Sequence, residues 1–248
     1  MPEDVIREPK KRFKKRYVAM LLLLVLVFSY KDFIFVSKWN YKVTVKIQTP
    51  DGLKSGYAVR QIRSRFSPEL LPEMSDVSYK FIGEAVAVDL DNGNYVFGIL
   101  PTELQYEFFN AFPSPHGNSA HRKSLKYYRS LDIGSTATLG DEYKIVRFND
   151  LSNPASVELV SGYQFNPKTQ KYDFINNFDD FYGDEHDLKK VEVEVVRESV
   201  THQVSQILPW ISDYYNQRLD GERYGTIKAK NRLANSLSSG AFKIGDQE

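Results

Sequence analysis

The chain has 248 residues, no cysteine and a formal net charge of +1. The absence of cysteine excludes disulfide bonds, thiol catalysis and thiolate metal sites. Residues 1–16 hold seven basic and three acidic residues, so residues 17–248 carry a formal net charge of −3, a mildly acidic balance that argues against a nucleic-acid partner.

An abrupt change of solvent preference marks the start of the chain. An uncharged, mostly apolar run extends from Tyr17 to Tyr30, directly after a dense basic block. The basic block consists of Lys10, Lys11, Arg12, Lys14, Lys15 and Arg16. The apolar pattern resumes after Lys31 and Asp32, so the span 17–36 reaches the roughly 20 residues that a membrane-crossing helix needs. The pattern predicts a single transmembrane helix that holds residues 17–36 in a lipid bilayer.

The basic residues also predict an orientation for this helix. They are denser before the span than after it, and the denser side faces the cytoplasm. Residues 1–16 are then a cytoplasmic segment whose basic block contacts anionic lipid headgroups, and residues 37–248 form a periplasmic domain. The lack of cysteine and of Asn-x-Ser/Thr acceptors suits a bacterial envelope better than a eukaryotic secretory route, so the predicted location is the bacterial inner membrane. A cleaved signal peptide stays open as an alternative, because a basic segment before a short apolar run fits both.

Alternating apolar and polar residues predict strands in the first half of the presumed domain. Residues 41–48 alternate, a Pro50-Asp51-Gly52 turn follows, and residues 57–62 return as a second strand. The clearest hairpin joins residues 84–90 and 94–100, because Asn-Gly between them tolerates the backbone of a tight turn. Both arms of that hairpin are rich in apolar residues, which predicts that it lies at the sheet centre.

The second half of the domain is predicted to mix helices and strands. The expected elements are a helix over 103–112, a flexible loop over 113–120, a short helix over 122–130, strands over 142–148 and 190–200, a short helix from Leu208 to about Gln217, and a tail from Leu219 that wraps the surface or frays. Together they predict an α+β fold, with the N-terminal transmembrane helix followed by one β-rich domain on an antiparallel or mixed sheet.

Several stretches resemble a group of uncharacterised single-pass membrane proteins of proteobacteria, chiefly alphaproteobacteria. The matching stretches are residues 43–56, 83–90, Leu208-Pro209-Trp210, Leu219-Asp220-Gly221 and 233–237. The resemblance covers the presumed periplasmic part in patches. It implies the anchor-plus-domain layout and carries no catalytic residue over to this chain.

Two histidines are the strongest metal-ligand candidates in the sequence. His116 and His121 lie in or beside a loop rich in glycine and proline, and a metal site there would need a third ligand such as Glu107, Asp132 or His186. Five positions apart, the histidines share one helical face only poorly. An exposed polar loop is the simpler interpretation of the same residues.

The aromatic and acidic segment 163–187 is the strongest candidate for contact with a partner. Aromatic side chains dominate the energetics of interfaces, and acidic neighbours tune their specificity. The candidate contact residues are Tyr163, Phe165, Tyr172, Phe174, Phe178, Phe181, Tyr182 and Trp210. The competing interpretation is that these rings fill the core beneath a long loop.

The sequence therefore predicts an interaction module in the bacterial envelope, bound to an envelope protein or a glycan rather than to nucleic acid. The alternative is a membrane-tethered hydrolase or metal-dependent enzyme that uses His116 and His121. No cofactor is predicted, because phosphate-binding glycine loops and dinucleotide fingerprints are missing from the sequence.

Overall fold

The computed structural model describes residues 12–29, 37–66, 77–91, 93–101, 104–140, 143–166 and 168–245. The strands within them are β1 (Ser37–Thr49), β2 (Gly52–Phe66), β3 (Val77–Glu84), β4 (Val86–Asp89), β5 (Tyr95–Gly98), β6 (Thr136–Leu139), β7 (Ile145–Phe148), β8 (Val157–Asn166), β9 (Lys171–Asn176), β10 (Asp187–Val196) and β11 (Lys243–Ile244). The helices are α1 (Arg12–Ser29), α2 (Leu104–Ala111), α3 (Arg122–Arg129), α4 (Phe178–Tyr182), α5 (Val204–Ile207) and α6 (Arg232–Ser236), with short 3₁₀ helices at Pro154–Ser156 and Ser239–Ala241.

The large sheet is built around the long β1–β2 hairpin. Its order among the described strands is β11-β3-β2-β1-β10-β6, with antiparallel pairing throughout. In β1, Tyr41, Val43, Val45 and Ile47 are buried, whereas the residues between them are partly exposed. This alternation is expected of a strand with one face on a core. The predicted pairing of these two segments is confirmed.

The small sheet has the order β4-β5-β7-β8-β9 among the described strands and is also antiparallel. The predicted hairpin around Gly93 is confirmed as β4 and β5, with Val88 opposite Val96. Its predicted place at the sheet centre is wrong, because β4 is an edge strand. The apolar residues of β4 are instead buried against β2 and β1 of the large sheet.

Two hydrophobic cores lie on opposite faces of the small sheet. The first lies between the sheets, where Val45 and Val193 of the large sheet share a cluster with Ile145 of β7. Rings from α2 and α3 complete this first core at one end. The second core packs the other face of the small sheet, including Phe97 and Phe148, against the C-terminal segment 199–245. The molecule is therefore a sandwich with an irregular third layer.

The C-terminal segment corrects two sequence-based predictions. The tail from Leu219 was predicted to wrap the surface or fray, and the second alternative is wrong, because Leu219, Leu233 and Phe242 are buried in the second core. The predicted helix from Leu208 is also wrong, because residues 209–217 form turns and bends after α5. The segment is held by dispersed apolar anchors rather than by a regular element.

The predicted transmembrane helix over residues 17–36 is wrong for the residues that the structure describes. The helix α1 has 18 residues and starts inside the basic block, so only thirteen of them, Tyr17 to Ser29, are uncharged. At ~1.5 Å per residue they span about 20 Å, compared with about 30 Å for a hydrocarbon core. None of the described helices is long and apolar enough to cross a bilayer. Residues 30–36, which completed the predicted span, lie outside the described residues.

The single-pass topology and the inner-membrane location were deduced from that span and are corrected with it. The predicted α+β class is wrong as well. Strand residues clearly exceed helical residues, and each described helix after α1 spans eight residues or fewer. Such short helices are marginal on their own and exist here because they pack on sheets. The described chain is a mainly β fold of two antiparallel sheets.

A buried ionic network joins the elements around the first core. Arg60 of β2 is 1% exposed, and its guanidinium forms an ion pair with the Glu107 carboxylate of α2. Arg60 Nε donates to the backbone oxygen of Glu84 at 2.9 Å, and Arg60 Nη2 donates to the Tyr143 hydroxyl at 3.2 Å. The Tyr41 hydroxyl donates to Glu107 Oε2 at 3.2 Å. One guanidinium thus links β2, β3, α2 and the start of β7.

Burial and the charges inside this network shift the pKa values of its members. Burial lowers the pKa of the Arg60 guanidinium, but the Glu107 carboxylate and the neighbouring Tyr143 and Tyr41 side chains together outweigh burial, and the pKa is raised. Burial, followed by the nearby Glu107 carboxylate, raises the pKa of Tyr41 well above its ordinary value. Burial likewise raises the pKa of Tyr143. Arg60 is therefore charged, and both hydroxyls stay protonated, at all ordinary pH values.

Replacing the carboxylate of this network should destabilise the protein strongly. Glu107→Gln leaves the Arg60 charge buried without a counter-charge, so we expect the free energy of unfolding to fall by about 3–5 kcal/mol in urea denaturation. The matched control is Lys42→Met, which removes surface ion pairs with Glu194 and Glu198 at 3.0 and 3.2 Å and should cost less than about 1 kcal/mol. Equal losses for the two variants would contradict the central role of the network.

The raised pKa of Tyr41 also predicts a pH dependence. Because the folded-state pKa lies above the unfolded value of about 10, the stabilising contribution of Tyr41 is full below about pH 10 and is lost as the pH rises through the folded-state pKa. Tyr41→Phe should therefore lose less stability than the unmodified protein between about pH 9 and about pH 11. Urea denaturation across that interval tests this, and parallel losses for both proteins would refute it.

Candidate functional site

Four aromatic rings form a ladder on one face of the β8–β9 hairpin. Tyr163 and Phe165 lie two positions apart in β8, so their side chains leave the same face of the strand. Tyr163 is paired with Phe174 and Phe165 with Tyr172 across β9, and the ring centroids of each pair are 5.4 Å apart. Tyr163, Tyr172 and Phe174 are 40%, 68% and 44% exposed. We call these four residues the aromatic ladder.

The other four predicted contact residues lie elsewhere. Phe178 is 1% exposed in the first core, and Trp210 is 6% exposed in the second core. Phe181 and Tyr182 are partly buried beneath Arg147, whose guanidinium carbon lies 4.6 Å and 5.5 Å from their ring centroids. Core filling therefore accounts for Phe178 and Trp210. Contact with a partner through the aromatic ladder stays a prediction.

Three rings of the aromatic ladder, Tyr163, Phe165 and Tyr172, form one wall of a trough made of two adjoining concavities of about 350 and 450 Å³. Lys144, Tyr163 and Ser236 line both concavities and mark their junction. The first concavity is otherwise lined mainly by the ladder and by Ile227, Arg232 and Leu233, and the second mainly by Ile99, Leu100, Leu237 and Ile244. We call the two together the Lys144 trough. Apolar surface lies on both sides of one central cation.

Lys144 is held in place by its backbone. It precedes β7, and its carbonyl accepts a hydrogen bond from the Ile99 amide at 3.1 Å. A Cβ at position 162 would lie 3.1 Å from the Lys144 Cα, so the glycine there, with a φ of +129°, permits the close approach of β8. The Lys144 amine has no hydrogen bond or ion pair with any described residue. Burial lowers its pKa.

The opposite wall of the trough is fixed by two asparagines. Asn231 caps α6 and also donates to the carbonyls of Ala155 and Val157 at 2.9 and 3.0 Å, which ties the segment to the start of β8. Asn235 is buried and donates to the Asp220 carboxylate at 2.7 Å. Because both amides are fully engaged with backbone and side-chain partners, they act as supports for the wall.

The trough is cationic. Lys144, Arg218 and Arg232 line it, and no acidic residue of the described chain does. Arg218 makes one long hydrogen bond to the Ser236 carbonyl, at 3.4 Å, and the Arg232 guanidinium has no partner among the described residues. Such a set of donors, set between apolar walls, can bind a carboxylate or phosphate that carries apolar groups.

Sequence analysis missed Lys144, although the sequence carries a signal for it. Lys144 directly precedes β7 and is separated by two positions from Val146, which is in turn two positions from Phe148. Alternate residues of a strand share one face, and both apolar residues face the second core. A lysine in register with buried positions of a strand is uncommon, because burying an unpaired ammonium costs free energy. That register could have pointed to Lys144 before the structure was known.

The predicted histidine site is not assembled in the structure. His116 and His121 are both exposed, and His121 caps α3 by accepting from the Lys123 amide at 3.5 Å. Glu107, proposed as a third ligand, is committed to Arg60 in the core. No cluster of three or more potential metal ligands occurs in the part of the chain that the structure describes.

No protein-family model, curated protein or solved structure matches the chain. The resemblance to uncharacterised proteobacterial membrane proteins therefore stays a prediction, as does contact of the basic block with lipid headgroups. Only the geometry of the candidate site therefore indicates what it can bind.

Removing the Lys144 charge should stabilise the protein. Lys144→Met keeps the length of the side chain and removes an ammonium that is partly desolvated and has no described partner, so we expect a gain of about 1 kcal/mol in the free energy of unfolding. Because the folded-state pKa of Lys144 is lowered, the gain should be largest at low pH and shrink as the pH rises toward the unfolded value of about 10.4. Urea denaturation at several pH values measures it.

The control for this variant is Lys189→Met, which replaces an exposed lysine of β10 and should change stability by less than about 0.5 kcal/mol. A loss of stability in Lys144→Met would show that the ammonium is not strained by burial.

Proposed function

We propose that this chain is a binding module that holds an anionic ligand in the Lys144 trough. The observation that supports this best is the Lys144 amine, which has no partner among the described residues and lies at the junction of two concavities that both carry aliphatic side chains. Surface lysines are ordinarily solvated, and buried lysines are ordinarily paired. Lys144 is partly buried and has no partner among the described residues, an arrangement that a bound anion would complete.

Electrostatics favours anion binding at Lys144 over anion binding at the fully exposed lysines of the chain, because the Lys144 ammonium is partly desolvated. The Lys144 ammonium has lost part of its hydration, which is why its pKa is lowered. A carboxylate or phosphate oxygen at about 3 Å would form a charge-assisted hydrogen bond in surroundings of low dielectric constant. The same contact at a fully exposed lysine contributes little because water and salt screen it.

The walls of the trough supply the second part of the binding energy. Tyr163, Phe165 and Tyr172 of the aromatic ladder line the first concavity together with Ile227, which is 80% exposed. A bound ligand would remove their apolar surface from water. Burying apolar area yields about 25 cal/mol per Å², and aromatic side chains contribute large areas at low entropic cost. A ligand that combines an anionic group with apolar groups therefore fits better than a small inorganic anion.

This proposal keeps the interaction-module part of the sequence-based hypothesis. It omits the membrane tether, because none of the described helices can span a bilayer. It also omits the hydrolase centred on His116 and His121, because no described residue completes a ligand set around them.

A titration with an aromatic carboxylate tests the proposal. We expect 2-naphthoate to shift the backbone amide resonances of residue 144, of the aromatic ladder and of residues 225–236 in NMR spectra. The neutral analogue 2-naphthalenemethanol, of similar shape, should bind about tenfold more weakly, and Lys144→Met should lose the same factor, or ~1.4 kcal/mol. Lys189→Met is the matched control and should bind as the unmodified protein does.

The pH dependence of this binding follows from the lowered pKa of Lys144. A bound anion raises that pKa again, so affinity should fall as the pH rises through the pKa of the ligand-free protein and level off above that of the complex. Equal affinity for the acid and the alcohol at neutral pH, or shifts scattered outside the trough, would rule out the proposal.

A further inference from the structure

The Lys144 trough has a repeating chemical pattern along its length. The first concavity is lined mainly by aromatic and aliphatic side chains together with Arg232, Lys144 lies at the junction, and the second concavity combines aliphatic side chains with Arg218 and Ser238. A matching ligand therefore presents apolar, anionic and apolar groups in that order. A single compact anion can fill only one part of this pattern.

An extended peptide meets this requirement through its own geometry. Side chains at positions i−2, i and i+2 of an extended chain point to the same side and are spaced by about 6.6 Å. An acidic side chain at i can then reach Lys144, while the apolar side chains at i−2 and i+2 each enter one concavity. The main chain of such a peptide also needs hydrogen-bond partners. The Gln164 and Ser238 side chains line the trough and have no hydrogen-bond partner among the described residues.

The geometry of the aromatic ladder favours a peptide over a nucleobase or a sugar ring. Stacking of a base or a sugar requires a free flat ring face. In the ladder, the planes of Tyr163 and Phe174 are inclined by 65°, and those of Phe165 and Tyr172 by 60°. Each pair thus turns the edge of one ring toward the other and offers a corrugated surface. Branched and aromatic side chains of a peptide pack well on such a surface.

We infer that the ligand of the Lys144 trough is an extended peptide segment in which one acidic residue is flanked, two positions away on each side, by apolar residues. This inference rests on the proposed function, because it names the class of anionic ligand that the trough takes. Charge complementarity with Lys144 selects the acidic residue, and the aromatic and aliphatic side chains in the two concavities select its neighbours.

Fluorescence anisotropy with labelled peptides tests this inference on the full chain. The probe is a fluorescein-labelled peptide of sequence Gly-Phe-Ser-Glu-Ser-Leu-Gly, compared with the same peptide carrying glutamine in place of glutamate and with a scrambled peptide, Gly-Glu-Phe-Leu-Ser-Ser-Gly. We expect each change to weaken binding about tenfold. Lys144→Met should bind the glutamate and glutamine peptides equally, whereas Lys189→Met should retain the preference for glutamate.

A second variant tests the apolar part. Tyr172→Ser replaces a ladder ring that is 68% exposed and leaves the cores unaltered, so the fold should be retained. We expect it to weaken the glutamate peptide by about tenfold while keeping the preference for glutamate over glutamine. An unchanged affinity would overturn the assignment of the ladder to the peptide.

The outcomes separate this inference from the proposed function. If 2-naphthoate binds in a manner that depends on Lys144 but the scrambled and ordered peptides bind alike, the peptide assignment is overturned and the anion-binding module stands. If a single-stranded oligothymidylate or an oligogalacturonate displaces naphthoate at lower concentration than the ordered peptide does, the ligand belongs to another class. If neither naphthoate nor any peptide binds, both proposals fail.

Discussion

The architecture depends on the charged guanidinium of Arg60, which is buried in the first core between the two sheets. Arg60 would be prohibitively costly in the first core if it were unpaired. Its ion pair with Glu107 fixes α2 on the end of the sheets, and its hydrogen bond to the Tyr143 hydroxyl fixes the chain just before β7. The absence of a side chain at Gly83 makes this possible, because a Cβ there would lie 2.5 Å from the Arg60 Cγ. Arg60 therefore positions the residue that precedes Lys144, and the buried network and the trough share one segment of chain.

Glu84 extends the same constraint to the second core. Its backbone oxygen accepts from Arg60, and its carboxylate accepts from the amides of Gln203 and Val204 at 2.8 and 2.9 Å. These amides begin α5, so a buried negative charge sits where the helix leaves its backbone donors unsatisfied. The C-terminal segment is thereby attached to β3 before it crosses the small sheet and forms the far wall of the trough. Without that attachment only dispersed apolar contacts would hold the segment on the small sheet.

Local patterns in the sequence predict the hairpins but not their assembly. The alternation in β1 and the Asn-Gly turn between β4 and β5 are short-range signals, and both hairpins are present. The C-terminal segment was misjudged because its buried residues, Leu219, Leu233 and Phe242, follow neither a period of two nor one of 3.6. The same limit applies to the aromatic segment. Alternation places the ladder residues on one face, but whether a ring faces solvent or a core is decided by distant parts of the chain.

The charged residues in the cores have partners, whereas Lys144 has none among the described residues, and this difference singles out the trough as a candidate site. In the cores, Arg60, Glu84 and Glu107 each have a charged or backbone partner, as the free-energy cost of burying charge demands. Lys144 is partly withdrawn from water, yet no described residue pairs with it, although the chain contains 32 acidic residues from which a partner could be drawn. Arg60, Glu84 and Glu107 are paired in the cores while Lys144 in the trough has no described partner, a contrast that follows the rule that local inconsistencies concentrate at functional positions. An ammonium without a partner among the described residues can accept an anion from outside, whereas a carboxylate of the chain in that place would neutralise the site and fill it.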